Sequence, residues 1–222
     1  MRLLRFGVVF GIISLGCQDP DYGGEKGALR LRFGLGGCTS VPAAKSALAT
    51  GSTTELQVAD TREKRTSLRV SSADTAVVSL GAEALALACT GDACEETQAT
   101  LSLSALAAGR SRVVFTDEGG TEIDALTLSV ADATSLRIED GDGNSAASGT
   151  LEKPARLVAK LRGADGEVYA RGPFTWTVEG EVLEPITSTD GVVNADASAT
   201  GTSRVNVRFR DLSASIEVRV TD

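Results

Sequence analysis

The chain has 222 residues, enough for one large domain or two small ones, with a formal net charge of −8 and no histidine. Without histidine there is no Ser-His-Asp or Cys-His catalysis and no histidine metal site. The acidic balance argues against general nucleic-acid binding, which needs clustered Lys and Arg against phosphate.

The first element is an address. Arg2 and Arg5 make a basic start, Phe6 to Leu15 is an apolar run broken only by glycine and serine, and the chain turns polar after Cys17. A basic start, a short apolar stretch and a small residue at the cut site mark a secretory signal. The run is too short to span a bilayer, which takes ~20 apolar residues. Ser14-Leu15-Gly16-Cys17 resembles the lipobox of bacterial lipoproteins, with serine where that family usually has leucine. The resemblance implies a signal peptide over 1–16 and an acylated N-terminal Cys17. The mature chain of 206 residues then loses Arg2 and Arg5, taking the charge from −8 to −10. Gln18 rather than aspartate after Cys17 resembles the sorting pattern of outer-membrane lipoproteins.

Residues 17–27 read as a lipid-anchored tether, rich in Asp, Gly and Glu with no apolar period. The ten residues from Gln18 to Gly27 would wander over roughly 18 Å and reach about 35 Å when taut. From Ala28 onward a period of two dominates. Leu29 to Phe33, Leu101 to Leu103, Leu126 to Val130, Phe174 to Val178, Val205 to Phe209 and Ile216 to Val220 all alternate apolar with polar. Such alternation predicts half-buried strands. Turn pairs such as Gly119-Gly120, Asp165-Gly166 and Asp190-Gly191 punctuate them, which predicts an all-β sandwich architecture.

The chain also repeats itself. Gly109-Arg110-Ser111-Arg112-Val113 and Gly201-Thr202-Ser203-Arg204-Val205 each precede a closing alternating strand, roughly ninety residues apart. The expected division is 28–132 for one Ig-sized unit and 133–222 for a second. Ser67 to Val78 resembles the middle of a bacterial Ig-like (Big-type) domain, with a strand running into Ser-Ser-Ala-Asp and then Val. Ala105 to Val113 is similar to that family's turn into the penultimate strand, and Thr175 to Val178 to its tryptophan strand. The first unit departs from the pattern in having Leu68 and Val70 where the tryptophan would stand. The resemblance implies tandem Ig-like β-sandwiches used as stalk, spacer or binding module outside the cytoplasm, with no catalytic residues.

Four cysteines need allocation. With lipid on Cys17, Cys38, Cys89 and Cys94 remain, and three pairings exist. Loop closure favours Cys89 with Cys94 over a long bridge from Cys38. Three dispersed cysteines without histidine make a poor zinc site. Asp140-Gly141-Asp142-Gly143-Asn144 sets oxygen atoms at alternate positions, as a calcium loop does. Yet Ser145 stands where the turn glycine belongs and Glu152 falls one place late. A plain acidic turn is expected, with Asp140, Asp142 and Asn144 the candidate ligands were calcium to bind. Arg204, Arg208 and Arg210 on one strand, with Arg219 nearby, are a candidate basic stripe for acidic polysaccharide or lipid head groups; the plainer reading is a solvated sheet face balanced by Glu217. Trp176 is expected as a core anchor beside Phe174 and Val178. Thr61 to Arg65 reads as a solvated, mixed-charge loop.

The expectation is therefore a non-catalytic, lipid-anchored surface adhesion, binding or spacer module. It would touch a membrane through its anchor and an unidentified protein or polysaccharide, with no nucleic acid and no cofactor beyond the lipid. The alternative is a periplasmic scaffold or accessory subunit of an envelope complex. An enzyme of unrecognised type is the third and weakest reading.

Overall fold

The computed structural model describes residues 23–33, 41–43, 46–90, 93–140, 148–151 and 155–220, and folds them into nineteen strands in three sheets. The first sheet has six strands. Its main path is β2 (Val41–Pro42), β1 (Arg30–Phe33), β4 (Thr53–Asp60), β9 (Glu96–Ala105) and β6 (Val78–Leu80), with β8 (Ala88–Thr90) also on β9. The second, nine-stranded, runs β12 (Ser135–Asp140), β14 (Ala155–Gly163), β15 (Gly166–Tyr169), β3 (Ala47–Ala49), β11 (Glu122–Ala131), β10 (Gly109–Thr116), β5 (Ser67–Ser72), β7 (Ala84–Ala86), with β17 (Val192–Ala195) on β14. The third is β13 (Ser148–Leu151), β19 (Leu212–Val220), β18 (Gly201–Phe209) and β16 (Thr175–Glu179).

The architecture is all-β, as the period of two predicted. Along β4 the residues alternate between outward and buried positions, and β18 does the same. One core lies between the six-stranded sheet and the β11-β10-β5-β7 side of the long sheet, filled by Phe33, Leu56, Leu101, Leu126 and Phe115 among others. A second lies between the β12-β14-β15 side and the four-stranded sheet, filled by Leu157, Leu161, Phe174, Trp176, Val207 and Phe209 among others. Each sandwich thus covers the apolar face of one sheet with that of another.

The repeated motif has a shared structural job. Ser111 and Ser203 are both buried on the penultimate strand of their sandwich. Ser111 Oγ accepts from the Asp74 amide at 3.0 Å, and Ser203 Oγ accepts from the Val182 amide at 3.2 Å. Each hydroxyl pins a crossing loop to the strand end. Gly109 and Gly201 lead both motifs with φ of +151° and +137°, and a Cβ on either would press on Val77 or Val182 of the pinned loop. The Ser-Ser-Ala-Asp run has the same purpose: Ser72 Oγ donates to the Val78 carbonyl and sits 2.8 Å from Ser111 Oγ.

The two cores are not joined by a linker alone. Strand β3, from the 28–132 stretch, pairs in parallel with β11 on one side and with β15 of the second sandwich on the other.

Candidate functional site

The chain enters the first sandwich through a polar clamp. The buried Asp124 carboxylate, on β11, accepts from the amides of Lys26, Ala28 and Leu29, each at 2.8 Å, and from that of Ala125. Gly24 passes so close that a Cβ there would lie 2.4 Å from the carboxylate, so only glycine fits. The Glu25 amide donates to the Ala125 carbonyl, and the Glu25 side chain accepts from Arg112 and Thr127. Lys26 and Arg112 both bridge to Glu122. The Arg112 guanidinium first, and Lys26 second, hold the Glu122 carboxyl down at about 2. The tether expected over 17–27 is therefore docked from Gly23 onward. Its lack of apolar period was a poor guide because hydrogen bonds and ion pairs, not apolar burial, hold it. Cys17 and Cys38 lie outside the described residues.

Two further loops share this end. Cys89 and Cys94 are joined in a disulfide, with Cα atoms 4.8 Å apart, the pairing that loop closure favoured. Thr97, opposite Cys89, donates its hydroxyl to the Arg65 carbonyl. The mixed-charge loop after Asp60 is exposed from Thr61 to Lys64, and Asp60 ties it down from beneath. Asp60 is fully buried and accepts from the amides of Arg62, Glu63 and Arg65 and from the Arg65 guanidinium. Burial pushes the Asp60 carboxyl up, but these donors together hold it below its ordinary 3.8.

The arginines divide. Arg204, Arg208 and Arg219 point outward from the four-stranded sheet. Arg204 sits between Glu179 on β16 and Glu217 on β19 in register, so the face carries both signs. Arg210 departs from the stripe. The strand ends at Phe209, Arg210 takes φ +54° in the turn, and its guanidinium donates to the Thr50 carbonyl at 3.2 Å across the junction. Trp176 is buried, with its indole N–H donating to the Asp190 carbonyl at 2.9 Å. Asp140 closes β12; Asp142 and Asn144 lie outside the described residues. Among the described residues no group of three or more Cys, Asp or Glu is placed to hold a metal.

A polar cleft of about 250 Å³ opens at the junction, lined by Glu55, Ser102, Arg171, Thr189 and Asp190 among others. Arg171 pairs with Glu55 and its Nε lies 3.5 Å from Asp190, so one guanidinium stands between the two carboxylates of the cleft. Sequence reasoning passed over Asp124, Asp60 and Arg171. Asp124 stands two residues before the alternating run that starts at Leu126 and looks like turn chemistry, and only its distant amide partners reveal it.

No protein-family model matches the chain, and no curated protein does. Among solved structures it is similar to domains 5–6 of the S-layer protein SbsC, at 15% identity over 81% of this chain and 94% of that one, TM-score 0.34. The D0–D1 domain of intimin matches at 18% identity over 81% and 95%, TM-score 0.32. The Escherichia coli adhesin FdeC matches at 15% identity over 88% and 64%, TM-score 0.32.

Proposed function

We propose that this chain is a non-catalytic module of the bacterial cell envelope, exported, held to the outer membrane by lipid on Cys17, and used to carry a binding surface away from that membrane. The observation that supports this reading is the polarity of the chain path. Gly23 bridges to Arg30 at one end of the first sandwich, and the other end of β1, Phe33, meets the second sandwich. In the second sandwich β19 starts beside the Arg210 turn at the junction and runs away from it to Val220. The entry point at Gly23 and the Val220 end of β19 thus lie at opposite ends of the pair of sandwiches, the arrangement a spacer needs. With Gly23 docked, only Gln18 to Tyr22 separate Cys17 from the sandwich, a reach of about 20 Å.

The test has two parts. Cys17→Ala is expected to move the protein from the membrane fraction to the soluble fraction and abolish labelling by a fatty-acid probe; unchanged fractionation rejects the anchor. Protease added to intact cells is expected to cleave the native protein. Cleavage only after permeabilising the outer membrane would reject surface display and favour a periplasmic scaffold.

A further inference from the structure

Two tandem units joined by a few residues normally move against each other, because their contacts are small and polar. Here the joint is built differently. In β3 the side chain of Leu48 belongs to the first core and those of Ala47 and Ala49 pack on the second. The neighbouring strands do the same. On β11, Val130 faces the first core and Ala131 the second; on β15, Val168 faces the second and Tyr169 the first. Three adjacent parallel strands therefore carry one core on each face. Strands buried on both faces read as continuous apolar runs, which is how Ala47-Leu48-Ala49, Val168-Tyr169-Ala170 and Val130-Ala131 read.

The exchange is mutual. The first sandwich lends β3 to the sheet of the second. The second lends the segment around Gly172 to the first: the Thr53 amide donates to the Gly172 carbonyl at 2.9 Å, extending β4 where β1 has left it. Gly172 is buried, and a Cβ there would lie 2.8 Å from the Thr189 carbonyl oxygen. Tyr169 stacks on Phe33 with ring centroids 5.2 Å apart and planes within 6°. Arg171 on Glu55 and Arg210 on Thr50 close the rim. Hinging would break main-chain pairs at two places and open both cores to water, costs that a flexible linker avoids.

We infer that the two sandwiches form one stiff, cooperatively folding body, in which β3 and the Gly172 segment are reciprocal splints, so that the molecule transmits position and tension along its length without a hinge. This deepens the spacer reading but stands independently of lipid on Cys17.

The test is made on the full chain. Residual dipolar couplings are fitted separately for amides of β5, β9 and β10 and for those of β14, β18 and β19, and heat absorption is recorded alongside. One alignment tensor for both sets and a single unfolding transition are expected. Two tensors of different magnitude, or two transitions, in the unaltered chain overturn the inference. Gly172→Val, aimed at the Thr189 carbonyl, is expected to split the tensors. Tyr169→Ala, which leaves every main-chain bond in place, is expected to lower the order of the second set relative to the first. A single unchanged tensor in both variants would show that these contacts do not hold the joint. Failure of Cys17 acylation would leave all these results untouched, so the two readings fail separately.

Discussion

The two sandwiches use the same closing hairpin and hold it differently. Register places Ser111 opposite Leu128 and Ser203 opposite Val218, and Val113 and Val205 fill matching places in their cores. Further along, Asp124 sits opposite Phe115 where the second sandwich has Ala214 opposite Val207. The first sandwich spends that position on a carboxylate that binds the incoming chain; the second leaves it small and apolar. The short parallel strand beside the closing strand also differs. Leu48 of β3 pairs with Val130, and Leu151 of β13 pairs with Val220, but β3 has a second neighbour in β15 whereas β13 ends its sheet. A repeated sequence therefore specifies the hairpin, while what packs beside it depends on what the chain brings next.

Asp124→Ala should break this comparison most sharply. It orphans the buried amides that the carboxylate holds, and the loss should be about 3 kcal/mol in urea unfolding, with faster amide exchange at Lys26 to Leu29. Glycine replacement should reveal the common part. Gly109→Ala and Gly201→Ala place a side chain at positive φ against a valine, and each should cost about 2 kcal/mol, nearly equally in the two sandwiches. A large inequality would show that the motifs are not equivalent.

The serine pair should separate the two. Ser111 has both the Asp74 amide and Ser72 as partners, whereas the Val182 amide is the partner seen for Ser203 among the described residues. Ser111→Ala should cost about 2 kcal/mol and Ser203→Ala about 1 kcal/mol, read from denaturation midpoints.

The smallest effect is tied to acid. The Asp60 carboxyl is depressed in the folded state, so the unfolded chain takes up its proton first. Its contribution is present above the ordinary value of 3.8 and is lost as the pH falls through the folded-state value. The urea midpoint should fall as the pH drops below about 4, and Asp60→Asn should flatten that slope.

Particular residues show what was readable. Trp176, Val205 and Val207 announced their strands because one sheet face is wet and the other dry, which imposes a period of two. Cys89 and Cys94 were readable because short loops close cheaply. Ala47 to Ala49 was not, since a three-residue strand with both faces covered has no alternation. Arg210 was placed on the stripe by counting in twos past the point where the strand stops.

The sequence by itself determined the all-β class, the alternating faces, the repeated hairpin and the short disulfide loop, because each depends on residues close in the chain. Tertiary structure alone decided that Asp124 grips Lys26 to Leu29, that Arg210 reaches Thr50, and that β3 serves two cores. Those partners lie on the order of a hundred residues apart, and a short-range pattern carries no information about which distant amide or core face will arrive.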